Sequence, residues 1–298
     1  MPRFALLAVL TALLAVVTAG TATAHGSGLA SEPHLPRVLG LDPPVPGLVV
    51  RVVEGGARLA LVNDTAATVE VVPVADRGEE PVVPPGGSAH WADPRVATSP
   101  SGGPVAWTIP LSVDGEPVAL RGETIWPPAP ATAGWWGLTA ALAVGAALLG
   151  ARAVRRRWAE LAVAGLGLLA VAAHLVHVLG SAGVPVDLPY WPTVFGTAGI
   201  GIGAWAAAVA GAALTVAGTR WGTLLTGIGG TVLALLTVSD TDSFADAVLP
   251  YAWDPTLDRI ATAGTVGLGV GLLLTGFAAL RAMTPDTLPD QAVPEEAR

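Results

Sequence analysis

The chain contains no cysteine. Disulfide staples, thiolate metal sites, thiol redox chemistry and a cysteine nucleophile are therefore excluded. Lysine is absent too: all 15 basic residues are arginine, which fits the coding bias of a GC-rich genome and carries no mechanism. Charge is scarce, at 13% of residues, against about 25% in an ordinary soluble domain. The shortfall is concentrated after position 133. Net charge is −8, and no basic patch interleaved with aromatics occurs, so nucleic acid is not an expected partner.

What the sequence has instead is length in apolar runs. Segments 134–154, 158–180, 193–217, 221–239 and 260–280 are each close to the ~20 residues that cross a ~30 Å hydrocarbon core as a helix. Residues 1–24 carry the marks of a secretory signal. Arg3 gives the positive start, residues 4–17 the apolar stretch, and Ala22-Thr23-Ala24 the small-x-small cleavage pattern. Cleavage after Ala24 would leave His25 as the mature N-terminus, outside the cytoplasm.

The arginines fit that orientation. Arg152, Arg155, Arg156, Arg157, Arg220 and Arg281 all follow odd-numbered spans, so they fall inside when the N-terminus is outside. Arg259, beside Asp258, is expected on an outer loop. Trp135, Trp136, Tyr190, Trp191, Tyr251 and Trp253 mark the outer edge, and Trp158 and Trp221 the inner edge, where amphipathic rings favour the headgroup level. The tail 284–298 is polar and acidic and reads as a disordered cytoplasmic end. The expected location is the plasma membrane, with lipid as the surrounding partner.

Between signal and first span, residues 25–45 read as an extended arm. Strand-like, valine-rich runs follow at 47–53, 57–63, 68–74, 104–113 and 116–125. Asp114-Gly115 is a hairpin signal, because both turn positions need positive φ. Segment 75–103, with its Pro-Pro-Gly-Gly and Ser-Pro-Ser-Gly-Gly, reads as loop. The expected fold class is mixed: a small extracytoplasmic β-sandwich over 46–126, a linker at 127–133, and an α-helical bundle of five transmembrane spans over 134–283. No Ser/His/Asp nucleophile arrangement assembles, since His90 is the only candidate base between arm and first span and no serine sits on an elbow. Enzymatic activity is not expected.

Three stretches carry a family resemblance. They are Val45-Pro46-Gly47-Leu48-Val49-Val50-Arg51-Val52-Val53-Glu54 with Arg58-Leu59-Ala60-Leu61-Val62-Asn63; Trp91-Ala92-Asp93-Pro94-Arg95-Val96-Ala97; and Trp107-Thr108-Ile109-Pro110-Leu111-Ser112-Val113-Asp114-Gly115, with Gly122 and Trp126 downstream. Over most of 45–126 the chain resembles actinobacterial membrane proteins of unassigned function that are associated with CopC- and CopD-type copper-handling proteins. The resemblance implies a copper ion as ligand and copper-handling proteins as partners. One departure stands out. Where that group has a Trp-His-Asp-His-Arg-x-His run, the histidine positions here are Ala92, Pro94 and Ala97, so their ligand role does not carry over.

The five histidines are His25, His34, His90, His174 and His177. A terminal His25 offers amine and ring nitrogen together, a chelate suited to Cu(II). His34 and His90 read as solvated. His174 and His177 stand three apart, on one helix face. His174 lies on the order of 9 Å below the helix end at ~1.5 Å per residue. Ionisable groups at such depth usually face the bundle interior or a wet cavity. They are candidate metal or proton ligands; the plainer reading is interhelical hydrogen bonding. Asp240, Asp242 and Asp246 begin where the fourth span ends, and Asp240 and Asp242 are candidate metal ligands at the mouth; the plainer reading is a solvated loop. An axial haem pair is not expected from two histidines on one face. The small-xxx-small pairs Gly199/Gly203 and Gly267/Gly271 predict close helix packing. The sequence thus suggests extracytoplasmic copper handling, with an anchored interaction or scaffold module as the alternative. A proton-coupled transporter is a third idea, weakened by the lack of an internal repeat.

Overall fold

The structure, a computed structural model, describes residues 29–74, 80–96 and 103–283. The expected signal, His25, Ala97 and the tail from 284 lie outside the described residues.

Eight strands form the N-terminal region: β1 Leu35–Asp42, β2 Leu48–Val53, β3 Arg58–Asn63, β4 Val69–Val71, β5 Val82–Val83, β6 Ser88–Trp91, β7 Val105–Val113 and β8 Glu116–Ile125. They make two antiparallel sheets, ordered β1-β8-β7-β4-β5 and β2-β3-β6. Alternation decides which face is buried. Trp107, Ile109 and Leu111 of β7 and Val118 and Leu120 of β8 point inward, and Leu48, Leu59 and Leu61 of the smaller sheet meet them in one apolar core. Each fully buried side chain of this kind contributes roughly 1.5–3 kcal/mol. Asp114 and Gly115 take φ of 48° and 88°, the hairpin geometry their sequence predicts.

Two expectations for this region are corrected. The arm 25–45 is not merely extended, because 35–42 pairs along β8 as β1. A register shift between Val38 and Gly40 interrupts its alternation, so the two-residue period is hidden. Segment 75–103 also contains β5 and β6. Asn63, fully buried, donates its side-chain amide to the carbonyls of Val83, Pro84 and Ala67 at 3.0, 3.1 and 2.8 Å. That anchors the proline–glycine turn and delivers β6 to β3.

The C-terminal region is helical: α1 Thr132–Ala153, α2 Arg157–Ala182, α3 Tyr190–Ala198, α4 Gly201–Val216, α5 Arg220–Thr237 and α6 Pro255–Met283. A 3-10 turn, Val238–Phe244, continues α5. Four helical stretches are long and apolar enough to cross a membrane, and a fifth is counted if α3 and α4 are one span bent by 69°. The expected continuous helix over 193–217 is therefore interrupted. Gly199, at φ 43° and ψ −123°, sits at the bend in a conformation open to a residue without Cβ. A Cβ on Gly203 would meet nothing within 4 Å, so Gly199 and Gly203 mark a break, not a packing stripe. Gly267 and Gly271 do bring helices together: a Cβ would fall 2.6 Å from the Thr139 carbonyl oxygen of α1 and 2.4 Å from the Ala146 Cβ.

The last helix begins at Pro255, not at 260. The Asp254 carboxylate accepts from the Thr256 N–H at 2.6 Å, an N-cap ahead of proline at the first helical position. Hydrogen bonding from Thr256 holds the Asp254 carboxyl below its usual range. Asp258 and Arg259 are accordingly buried inside α6, at 4% and 7% exposure, instead of on a loop.

The β-domain sits directly on one end of the bundle. Glu32 and Val248 exchange two main-chain hydrogen bonds, of 2.9 and 3.0 Å. Ser31 donates to Asp246 at 2.8 Å, and Val186 N–H donates to the Glu54 carboxylate at 3.0 Å. Asp187, after α2, takes Arg58 and the His90 ring at 2.6 Å each. Those contacts, Arg58 first, hold the Asp187 carboxyl below its usual range. His90, expected to be solvated, is thus half of a clamp.

Candidate functional site

At this same end of the bundle, α2 presents His174 and His177, both buried at 4% and 5% exposure. They share a helix face but serve different neighbours, with ring centroids 6.4 Å apart. His174 turns toward α4. Its Nδ1 accepts from the Trp205 indole N–H at 3.1 Å, and the two rings meet edge to face. Gly201, just past the helix break, makes room for it: a Cβ there would lie 3.0 Å from His174 Cε1.

His177 turns toward the 3-10 turn and α6. Its Nδ1 stands 2.7 Å from Asp258 Oδ1, and its Nε2 stands 3.2 Å from Asp240 Oδ2. One buried imidazole therefore bridges two buried carboxylates from two other elements. Of the predicted ligands, His177 and Asp240 are brought together. Asp242 is exposed on the 3-10 turn, and its carbonyl oxygen accepts from the N–H groups of Ala245 and Asp246 at 2.9 and 3.0 Å. Asp258 and Trp205 belong to the site although sequence reasoning passed over them. The Asp-Pro-Thr start signal at 254–256 is what would have placed Asp258 inside a helix.

The rim is tied down by polar contacts. Arg259 donates to the carbonyls of Ser243 and Asp246, both at 2.8 Å. The Tyr251 hydroxyl donates to the Val176 carbonyl at 3.0 Å, which folds the 245–254 loop over the end of α2. Burial, with a smaller contribution from Asp258, pushes the Tyr251 phenol up. Phe244 is fully buried against Trp135 and Trp136. Beside the two carboxylates lies a cavity of about 120 Å³.

Copper asks for nitrogen donors aimed at one point. Among the described residues, no three histidine or acidic side chains are grouped to hold a metal ion. Both ring nitrogens of His177 face carboxylates, and His174 points elsewhere. The present arrangement does not fit a copper centre built on these two histidines.

A larger cavity, about 460 Å³, lies in the β-domain between the 29–36 arm, the β2–β3 connection and residues 92–96. Ala92 and Pro94, two of the positions where the resembling group has histidine, line it, as does His34. The neighbouring Asp93 is already engaged. It accepts from Arg95 through the guanidinium at 2.8 and 2.6 Å and from the Trp91 indole at 3.1 Å. Burial alone would raise the Asp93 carboxyl; the Arg95 and Trp91 hydrogen bonds outweigh it and hold the group below its usual range. The matched Trp-x-Asp-x-Arg residues thus form a structural corner. No family profile, curated protein or solved structure matches the chain.

Proposed function

We propose that the chain is a five-span plasma-membrane protein whose exported β-domain caps a cation-handling site at the extracytoplasmic end of its bundle. In this reading α3 and α4 form one broken span, the mature N-terminus is outside and the C-terminus inside. The observation that carries the reading is His177 held between the Asp240 and Asp258 carboxylates, all three buried. Buried charge is costly in an apolar bundle. Two carboxylates and one imidazole, with the Arg259 guanidinium hydrogen-bonded into the adjoining turn, form a buried ionisable network, the kind of group that in a membrane bundle marks an ion or proton site. The broken span is compatible with the same reading, because interrupted backbone in membranes is tolerated where it is buried in protein or lines a cavity, and Gly201 just past the break packs on the His174 ring.

Copper is the cation suggested by the resemblance in 45–126, and His25, His174 and His177 are its nitrogen candidates. Loading would require both buried imidazoles to leave their present partners. Elemental analysis of mature, detergent-purified protein after copper exposure tests this, beside a His174→Ala/His177→Ala variant. Stoichiometric copper lost in the variant supports a histidine site. Copper retained by the variant moves it to His25. Copper in neither rules that ion out.

The second reading is an anchored interaction module, in which the triad only fastens helices together. Its support is that both His177 ring nitrogens already have partners. The clamped β-domain speaks against a freely swinging module.

A further inference from the structure

The end of the bundle opposite the β-domain collects positive charge that carboxylates leave unanswered. Arg155 and Arg156 stand exposed in the α1–α2 turn, and Arg281 stands exposed in the last turn of α6. Their guanidinium groups have no hydrogen-bond or ion-pair partner among the described residues. Arg37, Arg58, Arg95 and Arg121 of the β-domain, by contrast, each meet a carboxylate. Arg152 and Arg157 add to the charge at this end, Arg152 turned onto the Leu148 carbonyl and Arg157 onto Glu160 and the Val216 carbonyl. Helices α2 and α5 both begin here without a side-chain cap, so their first N–H groups contribute partial positive charge. Trp158 and Trp221, the second residues of those helices, are 57% and 66% exposed, as aromatic anchors at headgroup level are.

Between the ends of α1 and α6 and the starts of α2 and α5 lies a cavity of about 200 Å³. Ala153, Val154, Ala279 and Met283 make its wall mainly apolar, and its one carboxylate, Glu160, is already paired with Arg157 at 3.0 Å. Arg155 follows Val154 and Arg281 precedes Ala282, another wall residue, so the unpaired arginines flank it. One polar side chain inside is left over. Thr223 is 6% exposed and lines the cavity, and its hydroxyl has no hydrogen-bond partner among the described residues. Unlike the sealed hydroxyls of Thr226 and Thr237, it reaches open space. Thr275, also in the wall, donates to the Gly271 carbonyl at 3.0 Å. Buried hydroxyls are normally satisfied, so the Thr223 hydroxyl asks for an oxygen-bearing ligand. The volume is below the ~300 Å³ that encloses a small molecule. It suits one part of a ligand whose remainder lies in the bilayer. Arginine pairs with phosphate through two parallel N–H donors. We infer that this end of the bundle binds an anionic phospholipid of the cytoplasmic leaflet, with its phosphate on Arg155, Arg156 and Arg281 and its glycerol region in the cavity against Thr223. The inference rests on the five-span topology and not on the cation site. Basic clusters beside spans attract anionic lipid surfaces in general; the cavity and its spare hydroxyl make this one a site.

The test places the full-length protein in phosphatidylcholine nanodiscs and, separately, titrates it in detergent with short-chain phosphatidylglycerol, short-chain phosphatidylcholine and glycerol 3-phosphate, with bound lipid read by native mass spectrometry. Saturable, single-site binding of phosphatidylglycerol over phosphatidylcholine is expected. Each arginine near an anionic headgroup is worth about fivefold in affinity, so Arg155→Gln/Arg156→Gln should weaken phosphatidylglycerol by roughly 25-fold. Thr223→Val removes one neutral hydrogen bond and should weaken it by about fivefold. Both variants should melt with the parent, because neither removes a contact made within the protein. Arg51→Gln, exposed in the β-domain, should bind as the parent does. Equal binding of the two lipids overturns the inference, as does unchanged affinity in either the arginine or the Thr223 variant. Glycerol 3-phosphate bound as tightly as the lipid would overturn the choice of a lipid. Phosphatidylglycerol bound only after removal of residues 284–298 would give the patch to that acidic tail and overturn it too. Failure to enter nanodiscs at all would sink the five-span reading, whereas entry without a preference for phosphatidylglycerol sinks this inference alone.

Discussion

Two buried charge clusters, one in each half of the molecule, solve the same problem differently. In the β-domain, Asp93 takes its partners from Trp91 and Arg95, two residues away on either side. In the bundle, His177 takes its partners from Asp240 and Asp258, 63 (240−177) and 81 (258−177) residues away. The first cluster closes on itself and fixes a local corner. The second exists only when α2, the 3-10 turn and α6 have assembled, and a cavity reaches it. A local cluster serves folding; an assembled one beside polar space is where binding is to be sought.

The largest expected effect breaks the assembled cluster. His177→Ala leaves two buried carboxylates without their shared partner and should cost about 3–5 kcal/mol. Thermal or denaturant unfolding in detergent measures it. Adding Asp258→Asn to His177→Ala should recover part of the loss, whereas purely additive effects would mean the pair does not interact in the folded protein.

Asp93→Ala should cost less, about 2–3 kcal/mol, because Arg95 keeps some contact with solvent. Urea unfolding followed by Trp fluorescence reads it out. It should leave cation binding untouched, which sharpens the contrast between the clusters.

Acid should expose the same difference. The folded Asp93 carboxyl lies below its unfolded value, near 3.9. Its contribution is fully present above that unfolded value and is lost as pH falls through the lowered folded one. An Asp93→Asn variant should therefore show a flatter loss of stability below about pH 4 than the parent. Parallel curves would contradict the assignment.

The smallest effect is expected at the surface clamp. Asp187→Asn weakens contacts to Arg58 and His90 that face solvent. The fold should hold, and the change should appear as faster proteolysis in the 183–189 loop.

How much of this was legible follows from where each signal lies along the chain. The helices announce themselves because an apolar run needs only its own residues. The Asp114-Gly115 hairpin does so because turn chemistry is local. β1 is hidden because its bulge disrupts the period, and the broken span because Gly199, four residues before Gly203, reads as a packing stripe, whereas its positive φ shows only in the folded chain. Of the site, His174 and His177 were visible as polar residues in an apolar helix. Their partners were not. Asp240 could be placed near them only by span order, and Asp258 was hidden by a helix start set five residues late (260−255). That the two histidines diverge depends on tertiary packing against Trp205 and Asp258, which no spacing encodes.

The central claim is that the β-domain caps the charged end of the bundle. Glu32 and Val248 form a hydrogen-bonded antiparallel pair, for which Cα atoms lie about 5.5 Å apart, within disulfide reach. Because the chain has no cysteine, Glu32→Cys/Val248→Cys introduces the only thiols. Mild oxidation in the membrane, followed by digestion and mass spectrometry, should recover the linked peptides as the dominant product within one molecule. Free thiols or only intermolecular links, in folded protein, would contradict the capped arrangement.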